Sequence, residues 1–458
     1  MRQLYPSYQN FIRIFLMTIT LILSLAPLRS QGAEQQEQDS SYTLERTIQE
    51  ALSANTSMHI SAEQTQAALY RKKSQKTYFY PSFSANYIYS RNDKADQIAI
   101  PNMGEITLSP ERAYEFSATI TQPIFTGMAI LNQYKIAELG FNQAKIQEAV
   151  TRQDIISKAK SLYFNLLKAT KLSAVAEQSV TLLEAHRNVA DNFYKVGMSP
   201  LNDLLKAEVE LANARQDLIV AQNNHDIAVS NLNIFLRRPV NASIKPKDTS
   251  HYSGFDKDLE SCLKTAQNNR LEMKIAKLDI KLREKELALT QKDYFPSLNL
   301  KGTYSRKGDD WDVDGFNGDE PDSWNVQAVA TWTFFEWGKT YYGSSEKRHQ
   351  IEQSRLKKVQ IQDQITFEVK QAFLKAKESE ENIATVEKAV AQAQESYRIS
   401  EERYNEQMAT STDVLDAQTL LTQTRTKYYN ALYDFEISKA SLDRAMGLPL
   451  QPMEEDKQ

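Results

Sequence analysis

Two hydrophobic periods divide this chain. The first is helical. From Gly338 to Met446 there is no proline and one further glycine, Gly343. Proline breaks helices and glycine weakens them, so this stretch is predicted helical, interrupted once at Gln407–Thr412. The arm before the interruption would be ~100 Å long at ~1.5 Å per residue. Along it Ile365, Val369, Ala372, Ala376, Ser379, Ile383, Val386, Val390 and Ala393 recur at alternating spacings of four and three. That is a coiled-coil seam. At a constant offset of 210 residues stand Ile155, Ala159, Leu162, Leu166, Ala169, Ser173, Ala176, Val180 and Leu183, all apolar or small. The interruption repeats at the same offset: Tyr194/Tyr404, Met198/Met408, Asp203/Asp413, Leu205/Leu415, Ala207/Ala417 and Pro239/Pro449. One unit is therefore written twice, and such a repeat must be found before the fold is argued.

The second period is two. After Pro81, Phe83, Ala85, Tyr87 and Tyr89 recur at every second position and share one face. After a predicted loop of about twenty residues, Tyr114, Phe116, Ala118 and Ile120 alternate with Glu115, Ser117, Thr119 and Thr121. The second unit does the same. Leu298 and Leu300 follow Pro296, and Trp324, Val326, Ala328, Ala330, Trp332 and Phe334 share a face. Such alternation predicts strands with one apolar and one polar face. Aromatics near the strand ends resemble the girdles of membrane barrels. Leu44–Thr77 and Asp258–Lys292 are predicted to be helices preceding each strand pair.

Composition sharpens this picture. Arg2 and Arg13 precede an apolar run, Ile14–Leu28, then Arg29-Ser-Gln-Gly-Ala33. A basic start, a short apolar core and a small residue predict a secretory signal peptide. Mean hydropathy is −0.55, and no later apolar run reaches spanning length. Membrane entry would therefore require a β-barrel. Four strands cannot close one, and open edges are not tolerated in lipid. Two chains would give eight strands and a filled lumen; three would give twelve and a pore. A net charge of −4 gives no reason to expect nucleic acid. The single cysteine, Cys262, can form no internal disulfide.

The order helix, strand pair, long helix, tip, return helix, then the same again, resembles the TolC-like family of outer-membrane efflux and secretion channels. The resemblance rests on Tyr80-Pro-Ser-Phe-Ser84 and Tyr294-Phe-Pro-Ser-Leu298 before the outward strands. It rests also on Gln122-Pro-Ile-Phe-Thr-Gly127 and Trp332–Gly338 at the strand-to-helix junctions, and on the tips Tyr194–Ser199 and Asp413–Gln418. It implies a mixed α and β fold. Three chains would share a twelve-strand barrel, four strands each, above a coiled-coil periplasmic tunnel. The implied function is a passive exit duct for small molecules in the outer membrane of a Gram-negative bacterium. The implied partners are outer-membrane lipid, a periplasmic adaptor and an inner-membrane transporter. Alternatives are a protein-secretion channel and a structural periplasmic coiled-coil protein. The expected divisions are a signal peptide at 1–33, a first repeat at 34–240 with strands 82–91 and 112–125, and an inter-repeat segment at 241–258. A second repeat follows at 259–450 with strands 297–306 and 323–335, then a tail at 451–458.

Candidate sites follow. Phe83, Tyr87, Tyr114, Phe116, Ile120, Leu298, Leu300, Trp324, Val326 and Trp332 are expected to face lipid. Val196, Gly197, Met198, Met408 and Ala409, at the tips, are expected to touch the adaptor. Ala409 stands where the family often carries an arginine, so an arginine latch is not expected. Asp413 and Asp416, one helical turn apart, would form carboxylate rings that select cations. Asp413 also fits a capping box with Thr410, which leaves Asp416 without a structural role. Lys206 stands at the position of Asp416 in the first repeat. Ser199-Pro200 is expected to cap the first return helix. The acidic loop Arg306–Asp322 begins like a calcium loop, but Pro321 occupies the place of its final glutamate. The five histidines show no metal-ligand spacing and no catalytic or nucleotide-binding motif is found. No cofactor, metal or enzymatic activity is expected.

Overall fold

The computed structural model describes residues 41–100, 104–248, 254–315 and 320–448. The signal peptide, the tail and Pro449 lie outside them, as do parts of the inter-repeat segment and of the acidic loop. The elements run α1 (Leu44–Ala54), α2 (Thr56–Thr77), β1 (Ser82–Arg91), β2 (Asp96–Ile100), β3 (Gly104–Ser109), β4 (Arg112–Thr126), α3 (Ala129–Lys195) and α4 (Leu201–Phe235). Then follow α5 (Leu259–Asn269), α6 (Leu271–Thr290), a short 3-10 turn, β5 (Ser297–Gly308), β6 (Asp322–Thr331), α7 (Lys339–Asn405) and α8 (Ser411–Ala445).

Helices α3 and α7 each have 67 residues, and α4 and α8 each have 35. Every one of these boundaries is displaced by 210 between the two halves. Each long helix leaves its sheet through two consecutive left-handed residues, Gly127-Met128 and Trp337-Gly338. At Gly127 a side chain would strike the Lys292 carbonyl. Trp337 holds the equivalent backbone without glycine, at a cost of about 1–2 kcal/mol.

The helices form a wall. In its lower part α3 packs against α4 and α8, and α8 packs against α7, so the order is α4–α3–α8–α7. In its upper part α3 packs against α2 and α6, and α6 against α7, so the order is α2–α3–α6–α7. Two columns are therefore stacked from separate helices. Where α4 meets α2, the Asn55 amide donates to the Phe235 carbonyl at 3.2 Å. Where α8 meets α6, Arg270 donates to the Ala445 carbonyl at 3.2 Å. Each contact satisfies a carbonyl that a helix end leaves orphaned.

These same residues break two helices expected to be continuous. Asn55 caps α2 by accepting from Ser57 N–H at 2.9 Å, so Leu44–Thr77 is two helices. Arg270 adopts an extended backbone and divides Asp258–Lys292. The heptad seam is buried: Ile365, Val369, Ala376, Ser379, Ile383 and Ala393 are inaccessible on α7, and Ile155, Ala159, Leu166 and Leu183 on α3. Ala159 and Leu166 share a core with Ile48 of α1, whereas Val369 and Ala376 share one with Cys262 and Ala266 of α5.

The sheet has the order β1-β4-β5-β6, antiparallel throughout. Among the described residues, both outer strands, β1 and β6, are unpaired on one side. β6 ends at Thr331, short of the expected 335. Its partner ladder stops at Ser297, because Pro296 has no N–H to extend it. The segment between β1 and β4, expected to be a loop, contains the hairpin β2–β3.

Candidate functional site: two hairpin tips and a two-faced sheet

The two tips share a backbone. In the first, Met198 N–H donates to the Phe193 carbonyl at 2.7 Å and Gly197 N–H to Tyr194 at 3.0 Å. In the second, Met408 N–H donates to Arg403 at 2.7 Å and Gln407 N–H to Tyr404 at 2.9 Å. Both are Schellman turns with a left-handed residue, Gly197 at φ 78° and Gln407 at φ 60°. Glycine is natural there; glutamine is held in place, its side-chain amide reaching the Met198 sulfur at 3.1 Å. Val196, Met198 and Met408 project into solvent.

The return helices begin differently. Thr410 N–H donates to Asp413 Oδ2 at 2.8 Å and its hydroxyl to the same oxygen at 2.9 Å. Asp413 N–H donates to Thr410 Oγ1 at 3.3 Å, completing a capping box. These bonds, the backbone one foremost, hold the Asp413 carboxyl below the usual carboxylate range. Asp413 and Asp416 are both exposed on the same helix face. Across the tip, α4 begins at Leu201 with Pro200 as its cap. The expected Ser199 cap is incorrect. Pro200 sits one place before the helix, its carbonyl accepts from Asp203 N–H at 3.1 Å, and Ser199 Oγ is buried without a hydrogen bond. Lys206 reaches across to Thr412 Oγ1 at 3.1 Å.

Behind the tips lies a polar joint that periodicity did not point to. His186 of α3 is 5% exposed, with Nε2 at 2.8 Å from Ser411 Oγ of α8 and its ring 5.0 Å from that of Tyr404. Burial pushes its pKa down to about 4, against the pull of Asp203. The joint ties the first hairpin to the second at the point where both turn. The available signal was a break in the repeat: His186 stands where the second unit has Ser396.

In the sheet, register partners share a face. The ladders pair Phe83 with Ile120, Tyr87 with Phe116, Leu300 with Ala328, Tyr304 with Trp324 and Leu298 with Ala330. Ile120 pairs onward with Gly302 and Gly302 with Val326. Tyr114 lies on the same face, opposite Tyr89. One face therefore carries the apolar and aromatic set, with Phe83, Trp324 and Val326 fully in the open. Trp332 lies just beyond β6, against Phe334. The other face is largely polar, Ile88 and Val329 excepted. Thr119 and Thr303 hydroxyls meet at 3.3 Å, and Ser305 and Ser323 at 2.8 Å.

The acidic loop folds back on the sheet. Tyr87 donates its hydroxyl proton to the Trp311 carbonyl, and Gly308 bridges Gly315 over buried Val313. Among the described residues no group of three His, Cys, Asp or Glu converges as a metal site. Among the described residues, too, no helix is long and apolar enough to cross a membrane.

Comparison with known proteins gives one answer. Residues 47–236 and 262–448 match the outer membrane efflux protein family. The chain is 22% identical over 424 residues to the outer membrane protein TolC of Escherichia coli K12, covering 88% of this chain and 82% of that protein. TolC of Vibrio cholerae is 21% identical over 401 residues, with 84% and 86% covered. The fold is shared with the outer membrane protein VceC of Vibrio cholerae (TM-score 0.76, 15% identity, 89% and 97% covered). It is shared also with the CmeC outer membrane channel of Campylobacter jejuni (TM-score 0.75, 17% identity, 93% of each). This chain, with its open four-stranded sheet and doubled helical hairpin, belongs to the outer membrane efflux protein family.

Proposed function

We propose that three copies of the chain close into one passive duct, with a twelve-strand barrel in the membrane and a helical tunnel in the periplasm. The observation that carries this reading is that the protomer is open at both edges of both layers. The sheet ends in unpaired β1 and β6. The wall ends in α7 along its whole length and in α4 in its lower part, and each leaves an apolar stripe uncovered: Leu205, Val209, Ile219, Ile227 and Ile234 on α4, and Leu356, Val359, Phe367 and Leu374 on α7. At about 100° per residue each set falls on one helix face, opposite the buried seam. A β1 edge meeting a β6 edge, and α4 with α2 above it meeting α7, cover these edges with copies of the same chain. Three copies are favoured over two because twelve strands leave a lumen open and eight fill it.

In this duct the apolar sheet face, including Phe83, Tyr87, Tyr114, Phe116, Ile120, Leu298, Leu300, Trp324, Val326 and Trp332, meets lipid. Asp413 and Asp416 ring the narrow periplasmic end and select cations. Asp413 does two jobs: one carboxylate oxygen caps α8, and its charge still adds to the ring. The exposed tip at Val196, Gly197, Met198, Met408 and Ala409 is where a periplasmic adaptor docks. Methionine at an exposed tip suits a surface that must adapt to a partner. The adaptor in turn joins an inner-membrane transporter that supplies the energy, and small molecules are the cargo.

The test is single-channel recording in planar bilayers. Wild type is expected to show a small, cation-selective conductance, and Asp413→Ala with Asp416→Ala to lose much of that selectivity with trimers intact. Unchanged ion selectivity in the double variant would overturn the gate assignment.

A further inference from the structure

The polar face of the four-stranded sheet carries three ionisable side chains: Glu115, Lys301 and Lys307. Glu115 and Lys307 are register partners and form an ion pair at 3.8 Å. Lys301 is different. Its row across the sheet is Ser82, Thr121 and Gln327, none of them charged. It is exposed, and among the described residues it has no carboxylate partner. Serines, threonines and amides already keep this face wet, so hydration does not require a charge at this position.

We infer that Lys301 makes a ring of fixed positive charge inside the barrel, one ammonium from each copy, which draws small anionic solutes into the lumen. The inference rests on the barrel reading proposed above. Lys301 is the fifth residue of β5, about 13 Å along the strand at ~3.3 Å per residue. It therefore lies within the membrane span. The tip carboxylates lie a long helix away, on the order of 100 Å. That is about ten times the screening length in physiological salt, roughly 8 Å. The two rings act independently: the tip enriches cations and the barrel enriches anions. Lysine rings are a known means of favouring anions in pores.

The test uses the full chain in outer-membrane vesicles. Gln327→Cys places a thiol directly opposite Lys301; Thr303→Cys, one step along the same face, is the second reporter. The natural Cys262 is buried, and the unsubstituted protein controls for it. Two membrane-impermeant methanethiosulfonates are compared at low salt, one carrying a sulfonate and one a quaternary ammonium. Their rate ratio cancels any effect of the lysine on thiol ionisation. The sulfonate is expected to react about three- to five-fold faster, the size of a screened unit charge ~7 Å away in water acting with opposite sign on the two reagents. Lys301→Gln should bring the ratio close to one, and Lys301→Glu should invert it. A ratio indifferent to Lys301→Gln at both reporters overturns the inference while leaving the barrel intact. Failure of either reagent to reach either introduced thiol in vesicles, with full labelling after denaturation, would refute the wet-face assignment and the inference with it.

Discussion

Helices α3 and α8 stand in the middle of the lower wall; α4 and α7 stand at its ends. The long pair and the short pair are equal in length, and each pair is related by the 210-residue offset. Their surfaces nevertheless differ. Large apolar side chains exposed on α3 are confined to its ends, at Leu131 and Tyr194, and α8 exposes only Leu420. The edge helices expose rows of them, with Ile219 66% and Phe367 63% exposed. The same unit, used twice in one open wall, is completed on one side by its own repeat and left uncovered on the other. The repeat thus explains the protomer, and its mismatch leaves the edges that the proposed closure by copies of the chain would cover.

The comparison can be broken most severely at the edges. Phe367→Glu together with Ile219→Glu should abolish oligomers in size-exclusion chromatography while circular dichroism keeps its helical signal. Leu166→Ala, in the buried seam, should instead destabilise the protomer by about 2–5 kcal/mol in denaturant titration. If the edge pair unfolds the chain, the distinction between edge and centre is wrong.

The sheet offers a second contrast, one residue apart. Ala328→Arg on the apolar face should impair assembly by about 2–4 kcal/mol, whereas Gln327→Arg on the polar face should be tolerated. Heat-modifiable oligomer yield in membranes reports both. Equal yields would deny that the faces differ in solvent.

The joint between hairpins should respond to acid. His186 is neutral in the fold, with its pKa lowered to about 4. The unfolded chain binds the proton first, so stability falls as pH drops from about 6.5 to about 4, by on the order of 2–3 kcal/mol. Thermal melts of wild type and His186→Gln between pH 7 and 4 should converge as pH falls. Parallel curves would show that His186 is not the titrating group. The smallest effect belongs to the cap. Asp413→Ala should lower the melting temperature slightly, more than Asp416→Ala, because only Asp413 bonds to Thr410. That difference should vanish in acid, as the depressed carboxyl is protonated.

Much of this was legible in the sequence, because it is periodic. The seam, the two tips and the alternation of the strand before each long helix recur at one offset, and register then placed every chosen aromatic within the strands on one face. What escaped is set by single residues in ordinary company. Asn55 and Arg270 break helices among helix-forming neighbours, since each reaches across to cap another helix end. Ser199 looked like a cap, but Pro200 took the position with its own backbone. The hairpin β2–β3 was too short to stand out from a loop. The edge stripes on α4 and α7 are visible as spacing, but only the packing order says which apolar face lacks a neighbour.

The central claim is that the open wall and open sheet are closed by copies of the chain. Native mass spectrometry of the detergent-extracted protein tests it directly. The account predicts one dominant species of three chains, reduced to single chains by Phe367→Glu with Ile219→Glu. A wild-type protein that is a single chain in detergent, yet conducts ions in bilayers, would contradict it.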